Sequence, residues 1–183
     1  MRIAIEGRRA VILGEGGEVG RAIAAALADN GAEVHPGDET AGDAWLLVQI
    51  SAGLAGGAED AGEAGRFAAA ARAWAPRVGR IIHVISAAGL VPLRGAAAHS
   101  AQQAALASLT RALAMELAPE TLVNAVAVGC DPRMASHAAL RRTGSAEEIA
   151  RATLFLADPA NTYTTGHVMA VDGGWSIGYA RDF

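Results

Sequence analysis

Three polar residues in one stretch, Ser86, His99 and Gln103, have the types and the spacing to do chemistry. The stretch runs VISAAGLVPLRGAAAHSAQQAALASLTRALAMEL from Val84 to Leu117 and reads as the end of a buried strand, a loop and a long helix. Ser86 sits where the strand ends, so its hydroxyl can steady a carbonyl oxygen. His99 and Gln103 are four apart and share one helix face near its start. An imidazole, with an unperturbed pKa of ~6.5, can donate or accept a proton near neutral pH. Gln103 has no charge with which to tune a neighbour. The carboxyl end of a parallel strand is where open α/β sheets place their binding sites.

A second set of candidates lies at the start of the chain. Arg9–Leu13 (RAVIL) is a short apolar run that reads as a buried strand. GEGGEVG follows, then RAIAAALADNGAEV, a helix ending near Asn30-Gly31 that leads into a second strand. This strand, glycine turn, helix and strand form the dinucleotide-binding layout, with Gly14, Gly16, Glu18 and Gly20 in the turn. Asp38 lies 24 residues after Gly14 (38 − 14), where an acid hydrogen-bonds the adenine ribose of NAD. Pro36-Gly37 interrupts the strand just before it, and Asp38-Glu39 also reads as an exposed turn.

The elements that must position these residues follow in order. Trp45–Ile50 is an apolar strand, and a Gly/Ala/Glu-rich stretch leads into a helix over Arg66–Ala75 that Pro76 stops. Arg80–Ile85 is the strand that delivers Ser86, and Thr121–Val128 is a further strand. Ser145 followed by Glu148 is a capping box for the helix after it. The pattern implies an α/β, Rossmann-like, doubly wound and mostly parallel sheet of six strands, in one domain over residues 1–183.

Composition narrows the function classes. A chain of 183 residues can bury a proper core, ~70% of its unfolded surface. The net charge of −4 comes with no basic patch, which argues against nucleic-acid binding. Cys130 is the only cysteine, so neither a disulfide framework nor a thiolate metal cluster is expected. No apolar run has the length of a membrane span and the first residues lack a signal-peptide layout, so a cytoplasmic protein is the expectation. His83, inside a strand, reads as a satisfied sheet residue, and His83, His99 and His137 have no metal-ligand spacing.

These segments resemble the short-chain dehydrogenase/reductase family. Its catalytic pattern is I-S-S-x-x-G, then Y-S-A-S-K, then a helix ending L-A-x-E-L-A. ISAAG keeps the serine as Ser86, but the tyrosine position, thirteen further on, is His99, and the lysine position is Gln103. The asparagine position matches Gly62. In the family turn, T-G-x-x-x-G-x-G, Gly14 and Gly20 hold the first and last glycines and Glu18 replaces the middle one. A carboxylate ~5 Å from a phosphate charge repels it by about 3 kcal/mol at an effective dielectric of 20. Against that, Glu18 suits the positive end of a helix carrying no phosphate, and a purely structural turn is the favoured reading. By the same comparison, the usual segment between the family's second and fourth strands and most of its substrate lid are missing. The C-terminal TGHVMAVDGGW resembles the family's last strand and tail.

The resemblance implies a catalytically silent subunit, without a working cofactor site, that supports an active dehydrogenase paralogue in a hetero-oligomer or associates with itself. A hydroxyacyl-CoA dehydrogenase partner, of the hydroxybenzylsuccinyl-CoA type, is one form of this. The alternative is an active NAD-dependent oxidoreductase on an alcohol or ketone, of the 3-hydroxyacyl/3-oxoacyl type, with His99 replacing the tyrosine. A Ser-His hydrolase is disfavoured, because no G-x-S-x-G elbow is present and no acid is placed to orient His99. The helix from about Ala97 to Leu117 is apolar over more than one stripe, through Ala98, Ala101, Ala105, Leu109, Leu113, Met115 and Leu117. It is expected to face a partner as well as the sheet. Trp175, Tyr179 and Phe183 are expected to add a second contact.

Overall fold

The computed structural model describes residues 2–14, 16–37, 42–54 and 62–178. Its centre is one parallel sheet of six strands: β1 (Arg9–Leu13), β2 (Glu33–Pro36), β3 (Leu46–Ile50), β4 (Arg80–Ser86), β5 (Leu122–Val128) and β6 (Val168–Val171). The strands lie in the order β2-β1-β3-β4-β5-β6. β3 and β4 are buried along their whole length. Strands covered on both faces need continuous apolar runs, and these two have them.

Helices cover both faces. On one face α1 (Gly17–Asp29) and α5 (Ala146–Ala157) pack on Ala10, Ile12, Leu46, Val48, Ile82, Val84, Val126 and Val128. On the other, α2 (Glu63–Trp74) and α3 (Ala97–Leu117) pack on Val11, Leu47, Ile81, Ile85 and Val123. Alternate residues of each strand serve alternate faces, as the two-residue strand period requires. Ser145 caps α5 with both halves of the capping box formed.

Several boundaries differ from the sequence reading. α1 begins at Gly17, not at Arg21, because Gly16 in the left-handed conformation (φ 49°) lets the chain turn straight into the helix. α2 begins at Glu63, three residues earlier than Arg66, and ends at Trp74. Pro76 then fits into a 3₁₀ turn over Ala75–Arg77. β3 starts at Leu46, leaving Trp45 between the side chains of Arg8 and Arg80.

The connection from β2 to β3 is residues 37–45. A parallel crossover usually takes a dozen residues or more. Near its end, Ala44 donates to the Arg77 carbonyl and Trp45 donates to the Arg9 carbonyl. Among the described residues no strand lies outside β2, which is an edge of the sheet.

Candidate functional site

Ser86 ends β4, and the chain continues into a 3₁₀ turn, Ala87–Gly89. The Ser86 hydroxyl caps that turn by accepting from the Ala88 amide at 3.3 Å. Gly89 then passes hard against α3. A Cβ on Gly89 would sit 2.5 Å from the Gln103 carbonyl carbon, so only glycine fits. This close approach brings the helix to the serine.

α3 buries one stripe: His99, Gln103, Leu106, Thr110 and Leu113. The two chemical candidates therefore continue the stripe that anchors the helix to the sheet. Gln103 is fully buried. Its Oε1 accepts from the Ser86 amide at 2.8 Å, and its Nε2 donates to Ser51 Oγ at 2.9 Å. Ser51 donates in turn to Glu63 Oε2 at 3.0 Å, while the Ala52 amide and Gln102 Nε2 also donate to that carboxylate. Glu63, the residue after the matched Gly62, thus joins the site. Glu63 was missed by the sequence reading. The available signal was its place in the stripe Glu63, Phe67, Ala71 and Trp74, which α2 buries.

His99 is 4% exposed. Its ring lies against Gly53, where a Cβ would come within 3.3 Å of Nδ1. Asp131, at the end of the loop after β5, is buried and interacts electrostatically with His99. Burial alone would raise the Asp131 pKa, but hydrogen bonds and charge from Arg133, then the charge of His99, hold it below the ordinary range. Arg133 meets Asp131 in a two-pronged pair at 2.6 and 3.0 Å.

His83 is a sheet residue on the α3 side. Its Nε2 faces Gln49 Oε1 at 3.1 Å and its Nδ1 faces Thr110 Oγ1 at 2.9 Å. Gln49 spends its amide protons on the Phe67 carbonyl, so His83 Nε2 must be the ring donor. Burial lowers the His83 pKa to about 3, and a neutral ring carries one N–H. Nδ1 is then an acceptor, and the single hydroxyl proton of Thr110 lies between it and the Leu106 carbonyl, each 2.9 Å from Oγ1.

The cofactor candidates border a cleft of about 1160 Å³. Its wall includes Gly14, Gly16 and Glu18 of the turn, Ser51 and Glu63, and the alanine side of α2. Gly14 has φ 96°, and a Cβ there would lie 2.3 Å from the Ile50 carbonyl oxygen. That turn is cut for close backbone approach. Gly20 is buried inside α1, and Asp38 lies outside the described residues. Cys130 shares the cleft with Glu18; burial, then the Glu18 charge, raises its thiol pKa to about 11. Among the described residues that line the cleft, Ser86, His99 and Gln103 do not appear. These side chains do not fit a dinucleotide held for hydride transfer. The Gln103 amide is committed at both ends, and Glu18 puts a negative charge at the phosphate turn.

The loop after β5 and the C-terminal segment close the other side. Met134, Leu93 and Trp175 pack with Ala87 and Ala88. Trp175 is 5% exposed, so its ring fills this chain's own core. Its expected role in a second contact between chains is corrected, while Tyr179 and Phe183 lie outside the described residues. Among the described residues no helix is long and apolar enough to cross a membrane, and no group of three His, Cys, Asp or Glu could hold a metal ion.

Comparisons with known proteins agree with this geometry. The family model described as Enoyl-(Acyl carrier protein) reductase matches residues 64–176, more than half of the chain. An uncharacterized oxidoreductase of Mycobacterium tuberculosis is 36% identical over 111 residues, which are 52% of this chain and 42% of that protein. The 3-oxoacyl-(acyl-carrier-protein) reductase of Aquifex aeolicus is 37% identical over 112 residues, 54% of this chain and 45% of that protein. The aligned segments thus span less than half of those relatives. A small-chain dehydrogenase solved with NADPH superposes with a TM-score of 0.77 at 26% identity, covering 94% of this chain and 100% of that one. The family match, over the segment that carries Ser86 and the VDGG turn, makes this chain a member of the short-chain dehydrogenase/reductase family.

Proposed function

We propose that the chain is a catalytically silent short-chain dehydrogenase/reductase subunit that works in the cytoplasm beside an active dehydrogenase paralogue. The observation that supports this best is the closure of the site. Ser86 and Gln103 have no exposed surface, and His99 has almost none. Each polar end of Gln103 is spent on the protein itself. A serine that caps its own turn has no opening through which to meet a carbonyl. A partner that is a hydroxyacyl-CoA dehydrogenase, of the hydroxybenzylsuccinyl-CoA type, is the finer form of the reading.

The surface that would meet the partner is the outer side of α3. Ala98, Ala101, Ala104, Ala105 and Met115 are exposed there. Small side chains let another helix approach closely at little entropic cost. Co-expression with the neighbouring dehydrogenase, followed by size-exclusion chromatography with light scattering, tests this. A shared peak supports the reading; separate elution with this chain as a lone monomer overturns it.

One observation favours a second reading. Gly14, at positive φ and with no room for a Cβ, permits close backbone approach beside an open cleft. In an NAD-dependent oxidoreductase of the 3-hydroxyacyl/3-oxoacyl type that cleft would hold the cofactor, and His99, outside its lining, would be the acid/base. Calorimetric titration with NAD and NADH separates the two. Micromolar binding supports the enzyme; no heat up to millimolar cofactor supports the silent subunit.

A further inference from the structure

The cleft continues past the glycine turn. Its upper end lies between that turn and Cys130, just before the short helix α4 (Pro132–Ala135). Its lower arm follows α2 along the sheet and is lined by Leu13, Phe67, Ala70, Ala73, Trp74 and Arg77. α2 runs against the strands. Glu63 at its start bonds to Ser51, beyond the carboxyl end of β3, and the Arg77 carbonyl accepts from Ala44, before the amino end of β3. From Phe67 to Arg77 the chain rises about 15 Å. The arm therefore leaves the carboxyl ends, where open α/β sheets bind their ligands, and reaches the amino end of the sheet.

Arg77 stands at that far end. Its guanidinium lies over the Trp74 ring, 4.1 Å from the centroid, and stacking of this kind orients the planar fork. Among the described residues it donates to one acceptor, the Ala73 carbonyl, at 3.4 Å. Two more nitrogens on this face lack partners. Val11 and Leu13 pack on the α2 side, so alternation along β1 puts Arg9 there as well. Val34 packs on the other side, so His35 also faces the α2 side. Arg9 Nε and His35 Nε2 are buried without a hydrogen-bond partner. Buried polar atoms are paired almost without exception, and an unpaired one points to a ligand, an ion or a water. Arg9 Nη1 reaches the Asp43 carbonyl, next to the Ala44 that bonds to Arg77, so the two guanidinium groups flank one short segment. The described acids that line the cleft, Glu18 and Glu63, belong to its upper end. Glu33, opposite Arg9 on β2, is exposed and outside the lining.

We propose that the lower arm binds a small amphiphile whose apolar body ends in one carboxylate. The body lies on Leu13, Phe67, Ala70 and Trp74, and the carboxylate meets Arg77, whose fork matches it with two parallel N–H···O bonds. Arg9 adds a second positive charge at the same end of the sheet. The site uses neither the glycine turn nor Ser86, so it stands whether or not the chain is a silent subunit.

Calorimetric titration of the full chain with decanoate, decan-1-ol and decylamine tests this. Decanoate is expected to bind at one site with a micromolar Kd, decan-1-ol at least tenfold more weakly, and decylamine not at all. Arg77→Gln is expected to weaken decanoate at least tenfold and to leave decan-1-ol unchanged, a split that lost packing alone does not produce. Ala70→Trp, which fills the arm, is expected to abolish decanoate binding. Circular dichroism checks that this variant folds, and Ala73→Trp, at an exposed position, replaces it if it does not. No heat at millimolar decanoate overturns the proposal. So does decylamine binding as tightly as decanoate, an Arg77→Gln variant with the parent affinity, or folded arm-filling variants that bind decanoate as the parent does.

Discussion

Gln103 stands where the family holds a lysine, and the structure gives it a different job. Its side chain bridges Ser86 and Ser51 in a place without water access. Replacing it with leucine keeps the bulk and strands the Ser86 amide, while Ser51 retains its bond to Glu63. A buried donor left unpaired costs ~1–3 kcal/mol. Urea denaturation of Gln103→Leu should show that loss, and a change below about 0.5 kcal/mol would remove Gln103 from the structural network. Gly89→Ala is a harsher test, because its Cβ meets helix backbone that cannot step aside. Overpacking of this kind costs ~1–3 kcal/mol or more, read as a lowered Tm. Ser86, His99 and Gln103 were legible from type and spacing alone. Glu63 and Asp131 were not. Glu63 sits one place beyond the position that the family pattern marks, and Asp131 reaches His99 only through a loop whose path no local pattern specifies.

Among the elements, β2 carries the consequence of the short connection. It is an edge strand of four residues. Glu33 and Gly37 donate inward to the Arg8 and Ile12 carbonyls, so residues 34 and 36 point their backbone outward. Pro36 has no N–H, which removes one of the two outward donors and blunts the edge against other strands. Pro36→Val should therefore raise self-association, seen as a concentration-dependent mass in light scattering that the parent chain lacks. α3 was legible over its full length, Ala97–Leu117, because an apolar periodic run has few other solutions. Its interface was argued from Ala105 and Leu109 alike, and the structure separates them. Ala105 is exposed, whereas Leu109 packs against two clusters of the core. Ala105→Arg should yield folded monomers by light scattering if α3 faces a partner. Leu109→Arg would damage the fold and test nothing about assembly.

At the scale of the whole molecule, the sheet traps an ionisable group at its centre. His83 lies in the middle of β4 with no exposed surface, and that burial keeps its ring neutral. In the unfolded chain the same imidazole titrates near ~6.5; in the fold, burial lowers its pKa to about 3. Above the unfolded value both states are neutral and the full stability is present. Between the two values the unfolded chain binds a proton that the fold refuses, so stability falls as pH falls. The slope approaches ~1.4 kcal/mol per pH unit, which gives a loss of about 2 kcal/mol between pH 7 and pH 5 from this residue alone. His83→Gln removes the titration and can keep a hydrogen bond to Thr110. Chemical denaturation at pH 7 and pH 5 should show the parent chain losing ~2 kcal/mol more than the variant over that interval. Equal losses would mean that His83 is protonated in the fold, with both ring nitrogens donating, to Gln49 Oε1 and to Thr110 Oγ1.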